Sequence, residues 1–423
     1  MLYAPAIIIG RILRFFIRRF RPGGGSALPG LIVSKIAPGL LVKTLRSFPE
    51  GIVVVTGSAG KSTTTKMLVA IARAHGKQVF TNPSTANIAQ GFYSTIVQRA
   101  SLLGRIPGEL AIFEMDEGHA AEVVRDVKPK QVTILNVVED QLDRFVEPAF
   151  VRDKLEAVAL ACSGAVILNG DDQNTLLIAE AAKSNGQGSA LAWFSVEGSK
   201  AAKSLGYAPT YLDELPRVTG STVVKKLDGK KVEIQSYGQN VSFDLPNRGL
   251  HFALDAAAAL ESAKQLLGET FSLELAVSVL DKLPPVFARG EVREVRGVPV
   301  EFILVQNPIS MQLNIDNLAA DLESVMFAIG RDVHDPSWLW TVKPSKLKKV
   351  QVVTGFNCAE AELWCRYSGV EVQFSTDDLE AAWNHWLALP EPEHGLRTVV
   401  FSADVMRRSR RMLGFTNPEE VER

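Results

Sequence analysis

The feature that most constrains the fold of this chain is a short segment in which an apolar strand runs into a glycine loop and then into a helix. The segment reads Val53-Val54-Val55-Thr56-Gly57-Ser58-Ala59-Gly60-Lys61-Ser62-Thr63. In such loops backbone N–H groups and the helix N-terminus face phosphate oxygens, the lysine adds a positive charge, and the next hydroxyl can hold Mg²⁺. The alternative is a turn that binds nothing, but the lysine and hydroxyl follow the second glycine at the offset that phosphate binding requires. We therefore expect a phosphate-binding loop of Gly57, Ser58, Ala59, Gly60, Lys61, Ser62 and Thr63.

Apolar strand-like runs alternate with helical patterns around this loop, which is typical of a parallel sheet covered by helices. The expected strands are Ile52–Thr56, Gln78–Thr81, Leu110–Met115, Gln131–Asn136, Ala165–Asn169 and Leu191–Phe194. The helix-like stretches between them include Ser62–His75, Asn87–Leu103 and Arg152–Cys162. The sequence therefore predicts an α/β domain built around the loop.

The texture changes over residues 198–246, where Lys, Gly, Ser and Thr predominate. Alternating segments at Thr222–Lys226 and Lys231–Gln235 predict a small β-rich insertion there. The alanine-rich stretch Phe252–Leu267 has helical composition, and Pro284-Pro285 marks a boundary. Beyond it a second α/β domain is expected, with strands at Val300–Val305, Ser324–Ile329, Val350–Thr354, Val370–Phe374 and Thr398–Phe401. We expect an N-terminal segment 1–45, a central domain 46–283 and a C-terminal α/β domain 284–423.

The bulk composition is that of an ordinary globular protein, with 46% apolar and 22% charged residues and a formal net charge of -1. This balance does not point to nucleic acid as a partner. The cysteines are Cys162, Cys358 and Cys365, an odd number without a Cys-x-x-Cys pair. They support neither a disulfide framework nor a zinc ribbon, and the cytoplasm is the expected location.

The first residues differ from the rest, because the apolar run Met1–Ile9 is followed by arginines spaced among large apolar side chains. The run is shorter than the roughly 20 apolar residues of a spanning helix. Its positive charge follows the apolar run, whereas a signal peptide places charge before it. Arg11, Arg14 and Arg18 fall on one helical face, so residues 1–21 could make peripheral contact with an anionic membrane. The alternative is a helix docked on the protein, and the sequence leaves both open.

Several segments besides the loop resemble the Mur ligase family. The loop has that family's short Gly-x-x-Gly-Lys-Ser spacing, and Asn82 with Ala86-Asn87 is similar to the family's second segment. Glu114 ends the third strand where the family places a magnesium-binding glutamate. The segment Asn136-x-x-x-Asp140-Gln141-x-Asp143-Arg144 is similar to the family's Asn…Asp-His/Gln-x-Asp-Arg signature. The resemblance implies a ligase that uses ATP and Mg²⁺, with a central P-loop domain and with Ser62 and Glu114 as magnesium ligands.

A carboxylate that follows an apolar strand suits a hard cation such as Mg²⁺. Taken alone, however, Glu114, Asp116 or Asp143 would more often be a solvated or capping carboxylate. The metal role of Glu114 therefore depends on the resemblance.

Within the family, the likeness is greatest to the branch that amidates the glutamate α-carboxylate of lipid II, the lipid-linked peptidoglycan precursor, to isoglutamine. In that branch the ammonia comes from a GatD-like glutamine amidotransferase partner. Asn307 resembles the nucleotide-facing asparagine of a Lys-Asn-Pro motif, which implies that it contacts ATP. The segments that carry this likeness are Gly23–Gly30, Asp140–Arg144, Phe287–Glu291, Asn307-Pro308 and Asp335-Pro336-Ser337-Trp338-Leu339-Trp340.

Asp335 resembles the aspartate that, in this branch, completes a Cys-His-Asp triad whose cysteine and histidine belong to the glutaminase. A carboxylate can fix the tautomer and orientation of a histidine that activates a nucleophile, and it can act from a neighbouring subunit. By resemblance Asp335 is therefore a catalytic residue. Without the resemblance, an N-cap or turn aspartate before proline would be the more ordinary interpretation.

The chain also departs from this branch, whose members commonly carry a four-cysteine zinc ribbon in the central domain. Residues 198–246 hold no cysteine, so we expect no zinc site. Phe252 and Asp255 stand where the family tends to have polar residues near the nucleotide, and Gln306 replaces a lysine. Two alternatives follow: a Mur-type amino-acid ligase acting on a soluble UDP-linked precursor, and a non-catalytic ATP-binding scaffold.

Overall fold

The computed structural model describes residues 3–20, 28–82, 89–137, 148–186, 188–197, 217–284, 289–319 and 322–415. Within these residues the chain divides into two compact units. The second unit holds Pro246–His251 and the residues from Pro284 onwards, and the first unit holds the others.

The first unit is built on one sheet of nine strands. These are β1 (Ile52–Thr56), β2 (Val79–Thr81), β3 (Leu110–Glu114), β4 (Gln131–Ile134), β5 (Ala165–Asn169), β6 (Ala190–Val196), β7 (Thr222–Asp228), β8 (Lys231–Ser236) and β9 (Gln239–Asp244). Their order is β2-β3-β1-β4-β5-β6-β7-β8-β9, parallel from β2 to β7. Strands β1, β3 and β4 are buried along their whole length, as expected of parallel strands covered by helices on both faces.

The β-rich segment that the sequence predicts continues this sheet and does not form a separate module. Strand β7 pairs in parallel with β6, and β8 and β9 follow as antiparallel neighbours. The turn between β8 and β9 consists of Tyr237 and Gly238, both with positive φ, which is the backbone conformation that suits the twist of a two-residue hairpin. Strand β9 is an addition to the expected strands, because its sequence QNVSFD has only two apolar residues.

Ten helices are described that lie wholly or mostly in the first unit. They are α1 (Ala4–Phe20), α2 (Leu28–Ile36), α3 (Gly39–Leu45), α4 (Lys61–Ala74), α5 (Ala89–Arg99), α6 (Glu117–Val127), α7 (Pro148–Leu160), α8 (Gln173–Ser184), α9 (Leu250–Leu267) and α10 (Leu273–Leu280). Helix α2 packs on α5, and Gly30 permits the approach, since a Cβ there would lie 2.0 Å from the carbonyl O of Gln90. The described N-terminal helices are therefore part of the first unit.

None of the described helices is by itself long and apolar enough to cross a bilayer. Helices α2 and α3 meet the criteria of length and composition only as a pair, with a bend of 99° between them. Both helices contribute buried residues to the first unit, including Val33, Leu40 and Leu45.

The second unit contains a six-stranded sheet in the order β10-β11-β15-β12-β13-β14. Strands β10 and β11 form an antiparallel hairpin at one edge, and the other pairs are parallel. The largest fully buried side chains of this unit include Trp364, Trp383 and Trp386. The elements are β10 (Arg289–Val295), β11 (Val298–Leu304), α11 (Pro308–Asp316), β12 (Val325–Ala328), a 3₁₀ helix (Pro336–Thr341), β13 (Lys349–Thr354), α12 (Cys358–Tyr367), β14 (Glu371–Thr376), α13 (Leu379–Ala388), β15 (Arg397–Phe401) and α14 (Ala403–Met412).

The α/β class is thus confirmed for both units, and the expected strands end within one or two residues of the observed ones. Strand β10 is a second addition to them. Its sequence, RGEVREV, has four charged residues among seven and lies on a sheet edge, so its apolar signal is weak.

Candidate active site

Two glycines determine the path of the loop that follows β1. Gly57 has φ 127° and Gly60 has φ 88°, conformations that favour glycine. A Cβ at Gly57 would lie 3.0 Å from the backbone N of Asn136, and a Cβ at Gly60 would lie 2.2 Å from Oδ1 of Asp255. Helix α4 begins directly after Gly60. The first amide groups of a helix have no partner within it, so they are available to an anion at the loop.

Asn136 holds the loop from the end of the neighbouring strand. Its Oδ1 accepts from the backbone N of Ala59 at 2.8 Å, and its Nδ2 donates to the carbonyl O of Ala59 at 3.1 Å. Its own carbonyl O accepts from the backbone N of Ser58 at 3.1 Å. These bonds fix the peptide groups of Ser58 and Ala59. The rest of the signature, Asp140–Arg144, lies outside the described residues, as do Ala86-Asn87 and Phe287-Ala288.

Lys61 turns back onto the loop and reaches a buried carboxylate. Its Nζ donates to the carbonyl O atoms of Gly57 at 2.6 Å and Ser58 at 3.1 Å, and to Oε2 of Glu117 at 3.0 Å. The Glu117 side chain is fully buried, and that of Lys61 is 13% exposed. The other carboxylate oxygen of Glu117 is buried and has no hydrogen-bond partner among the described residues. Sequence reasoning missed Glu117, although the acidic run that follows β3 was a signal for it.

Glu114 lies at the carboxyl end of β3, on the strand next to the one that enters the loop. It is buried, and in the sheet it is the register partner of Val55. The amide side chain of Asn82 binds both of its backbone groups, accepting from Glu114 N and donating to Glu114 O, each at 3.0 Å. Asp116 caps α6 and accepts from Gly118 N at 3.0 Å. Asp116 is therefore a helix-capping carboxylate, as expected for it without the family resemblance.

The chemistry of these residues fits a nucleotide with Mg²⁺. The loop places the amide donors at the start of α4 next to the positive charge of Lys61. The carboxylate of Glu117 binds Lys61 through Oε2, and its buried Oε1 has no hydrogen-bond partner among the described residues. The described residues contain no group of three or more His, Cys, Asp or Glu that could hold a metal ion. Mg²⁺ would therefore depend on Ser62, Glu114 and phosphate oxygens, which is the sparse protein ligation that Mg²⁺ tolerates.

Two residues that depart from the family pattern lie on α9, and one of them reaches the loop. The carboxylate of Asp255 faces Gly60, and both Asp255 and Phe252 are buried. A carboxylate near the start of α4 interacts favourably with the helix dipole. Such a carboxylate would also repel a phosphate brought to the same place.

Asn307, in the second unit, begins α11. Its side chain accepts from the backbone N of Ser310 at 2.7 Å, and the hydroxyl of Ser310 accepts in return from the backbone N of Asn307 at 3.0 Å. The two residues form a capping box, and Asn307 is buried. The same Ser310 hydroxyl accepts from Gln306 N at 3.0 Å. The side chain of Asn307 thus caps α11. Contact between Asn307 and ATP stays a prediction.

Asp335, also in the second unit, begins the 3₁₀ helix Pro336–Thr341 and is exposed. Its Oδ1 accepts from the backbone N of Ser337 at 2.9 Å. Hydrogen bonds from the side chain and backbone of Ser337 lower the pKa of the Asp335 carboxyl, so it is ionised at neutral pH. The N-cap geometry agrees with the ordinary interpretation, and the exposed charge is also what a triad shared with a partner requires. The triad role therefore stays a prediction.

The fold and the short phosphate loop define a class, the Mur-type ATP-dependent carbon–nitrogen ligases. Residues 55–263 match the family model of the Mur ligase middle domain, which confirms the resemblance to the Mur ligase family. Among its relatives is the protein "Lipid II isoglutaminyl synthase (glutamine-hydrolyzing) subunit MurT" of Streptococcus pneumoniae, 27% identical over 376 residues and covering 79% of each chain. The protein of that name from Staphylococcus aureus is 30% identical over 148 residues, 35% of this chain and 33% of that one.

Solved structures support the fold. The MurF ligase of Thermotoga maritima in complex with ADP is similar with a TM-score of 0.66 and 19% identity, covering 90% of this chain and 83% of that one. The folylpolyglutamate synthase of Mycobacterium tuberculosis complexed with ADP gives a TM-score of 0.67 at 15% identity, covering 97% of this chain and 99% of that one. At these identities the likeness establishes the fold alone.

Proposed function

We propose that this chain is the ligase subunit of an enzyme that amidates the glutamate α-carboxylate of the lipid II stem peptide to isoglutamine, with ammonia from a GatD-like glutamine amidotransferase. The observation that carries the proposal is the presence of two separate features in one chain. One is the phosphate loop with Lys61, and the other is the exposed carboxylate of Asp335 within the Asp-Pro-Ser-Trp-Leu-Trp segment.

The reaction needs two steps at the ligase. The γ-phosphoryl group of ATP is transferred to a carboxylate oxygen of the substrate, which breaks the bond between Pγ and the β–γ bridging oxygen and releases ADP. Ammonia then attacks the carbonyl carbon and loses a proton, the C–O bond to the phosphoryl group breaks, and inorganic phosphate leaves. Positioning and charge neutralisation supply most of the catalysis of phosphoryl transfer. Lys61 and the amides at the start of α4 would neutralise charge on the phosphates, and Asn136 would keep the loop in shape. Bound Mg²⁺ would neutralise further charge on the phosphate oxygens.

The surface near Asp335 suits a partner protein. Trp340 is half-exposed and packs edge-on against Tyr367 at a centroid distance of 5.7 Å, and Tyr367 is 82% exposed. Leu363 lies one turn before Tyr367 on α12 and is also exposed. Exposed Trp and Tyr are enriched at protein interfaces. An amidotransferase docked here would bring its histidine towards a carboxylate that is already ionised and open to solvent.

The variant Asp335→Asn tests the partner role of this residue. Asparagine caps helices as well as aspartate does, so the fold should be kept while the charge is lost. With the ligase and its amidotransferase together, we expect glutamine-dependent amidation to fall by roughly 10³–10⁴-fold, which is the cost of removing the triad charge. The matched control is Asp378→Asn, since Asp378 is also an N-cap of the second unit and accepts from Glu380 N at 2.9 Å. The control should retain full activity.

Free ammonia separates the two halves of the proposal, because it bypasses glutamine hydrolysis. The Asp335→Asn protein should regain most of its amidation under ammonia, whereas a Lys61→Met/Glu117→Leu protein should stay inactive. Equal failure of the two proteins under ammonia would assign Asp335 to the ligase chemistry or to the fold. An Asp335→Asn protein fully active with glutamine would instead favour an amino-acid ligase that acts on a soluble precursor.

One observation favours a second candidate, a scaffold that binds ATP without turnover. The carboxylate of Asp255 faces Gly60 of the loop, where its negative charge would repel a bound phosphate. ATP binding by the purified complex, with no phosphate release in the presence of lipid II and ammonia, would support this candidate and overturn the ligase.

A further inference from the structure

Helix α1 is apolar on two opposite sides, and only one of them is covered by the protein. Ala6, Ile7 and Gly10 are buried against the first unit. At Gly10 a Cβ would lie 2.8 Å from Cγ2 of Val33 on α2 and 2.8 Å from Cγ2 of Val97 on α5. The inner side therefore packs as closely as a glycine allows.

The outer side of α1 carries large apolar side chains that the described part of the protein leaves uncovered. Ile8, Ile12 and Phe15 recur at intervals of three and four residues, with Ile9 and Phe16 beside them, so they share one helical face. Phe15 is 68% exposed and Phe16 is 51% exposed. The segments that pack near α1 add further exposed apolar residues, Leu28, Leu31 and Ile36 on α2 and Leu102 and Leu103 after α5. Exposed apolar residues grouped in this way mark an interaction surface.

The charged residues of the N-terminal segment all have one sign. Every charged side chain from Met1 to Pro49 is a lysine or an arginine, namely Arg11, Arg14, Arg18, Arg19, Arg21, Lys35, Lys43 and Arg46, although the whole chain has a formal net charge of -1. Arg19 and Lys35 are exposed at the described surface of α1 and α2. Arg19 and Lys35 thus place exposed positive charge on the two helices that carry the uncovered apolar side chains, and the complement of such a surface is anionic and apolar.

Arg11 also fixes where α1 lies. Its Nε donates to the carbonyl O of Val97 at 2.9 Å and its Nη2 to the carbonyl O of Ala100 at 2.5 Å, at the carboxyl end of α5. A cation at this end is favoured by the helix dipole. Because one arginine and the buried side tie α1 to the first unit, the outer face is held in a constant orientation.

We propose that the outer face of α1, with Leu31 and Lys35 of α2, docks on the surface of an anionic lipid bilayer. A helix of this length, about 25 Å, can lie in the interfacial plane with its apolar residues in the acyl boundary and its cations at the headgroups. The two sources of attraction, apolar burial and cations near anionic lipid, add to each other. The proposal does not rest on the proposed function, and it concerns residues outside the phosphate loop and the Asp335 segment.

Cosedimentation of the full chain with vesicles tests the apolar part. The probes are vesicles of phosphatidylcholine alone and of phosphatidylcholine mixed with phosphatidylglycerol. The wild-type protein should bind the mixed vesicles, and Phe15→Ser/Phe16→Ser should weaken that binding about tenfold or more. The matched control, Val292→Ser/Phe356→Ser, removes two exposed apolar side chains of the second unit and should bind as the wild type does. Near-ultraviolet circular dichroism and thermal unfolding check that both variants keep the fold.

The variant Arg19→Gln/Lys35→Gln tests the electrostatic part. It should lower binding to mixed vesicles about tenfold at low salt and less at high salt, and it should leave binding to phosphatidylcholine unchanged. Absence of wild-type binding to mixed vesicles, or equal binding by Phe15→Ser/Phe16→Ser, would overturn the proposal. Self-association that Phe15→Ser/Phe16→Ser abolishes, seen by light scattering without vesicle binding, would assign the face to a second copy of the chain. None of these outcomes bears on the ammonia and glutamine assays, so failure of the membrane proposal is distinguishable from failure of the proposed ligase function.

Discussion

At the scale of single residues, a buried ion pair joins the phosphate loop to a neighbouring helix. Lys61 begins α4 and Glu117 begins α6, and their side chains are 3.0 Å apart. Removing one member of such a pair leaves an uncompensated buried charge, whereas replacing both with apolar residues is often close to neutral. Lys61 is therefore part of the packing of the first unit, in addition to the phosphate-binding role that we propose for it.

The variant Lys61→Met should lower the free energy of unfolding by about 3–5 kcal/mol, because the Glu117 carboxylate stays buried without its partner. The double variant Lys61→Met/Glu117→Leu should lie within about 1–2 kcal/mol of the wild type. Urea unfolding of the three proteins measures both values. Neither variant should bind an ATP analogue.

The comparison has a clear contrary outcome. If the single and double variants lose the same stability, Glu117 is not left as an unpaired charge, and the loss belongs to contacts of the Lys61 side chain itself. The double variant is also the better inactive control for assays, because it separates lost nucleotide binding from lost folding.

At the scale of secondary-structure elements, Asp172 joins the start of α8 to the end of β4. Its Oδ1 accepts from Asn174 N at 2.8 Å, and its Oδ2 accepts from Val137 N at 2.6 Å. Val137 directly follows Asn136, which holds the phosphate loop. Burial raises the pKa of the Asp172 carboxyl to about 7, against the lowering effect of these backbone hydrogen bonds.

A raised pKa in the folded state gives the stability a predictable dependence on pH. Between the ordinary value of 3.8 and about 7, the folded chain holds this proton more tightly than the unfolded chain does. The protonated carboxyl therefore contributes its full stabilisation of the folded state below pH 3.8, and this stabilisation is lost as pH rises through about 7. Between about pH 5 and about pH 8 the free energy of unfolding of the wild type should therefore fall by on the order of 2 kcal/mol through this group. Asp172→Asn cannot ionise at this position, so its free energy of unfolding should not show this fall.

The measured quantity is the difference in pH slope between the two proteins, obtained from urea unfolding at each pH. The absolute stability of Asp172→Asn will be lower, since an amide oxygen can replace only one of the two acceptors. Asp378→Asn, which alters an exposed N-cap, should keep the slope of the wild type. Equal slopes for Asp172→Asn and the wild type would show that the buried carboxyl does not take up a proton in this range.

At the scale of the whole molecule, the strands β7, β8 and β9 are stabilised by the sheet that they extend. Val232, Ile234 and Phe243 are buried on these strands, and β7 is paired to β6. Residues 198–246 contain neither cysteine nor histidine. A continuous sheet with an apolar face can support these strands without a structural metal.

Purified protein should therefore contain no stoichiometric zinc by elemental analysis, and chelation with EDTA should leave Tm unchanged. The cysteines are separate, with Cys162 in the first unit and Cys358 and Cys365 in the second. One zinc ion per chain, or a fall in Tm on chelation, would contradict this prediction and indicate ligands of another kind.

The sequence by itself determined the α/β class, most strand positions and the glycine loop between β1 and α4. These features are local: a buried strand, two glycines, a lysine and a hydroxyl lie within a few residues of each other, and the period of apolar residues separates strands from helices. The sequence did not predict β9 and β10, because a polar or charged edge strand has few apolar residues to mark it.

Only the tertiary structure decided what the residues of the loop contact. Glu117 pairs with Lys61 across 56 residues, and Asn136 binds Ala59 across 77 residues. Asp255 reaches Gly60 from α9, and the inner side of α1 was separated from its outer side only by the packing of α2 and α5. Such contacts depend on how distant segments pack together, and a pattern read along the chain records the spacing of residues and not which helix faces which strand.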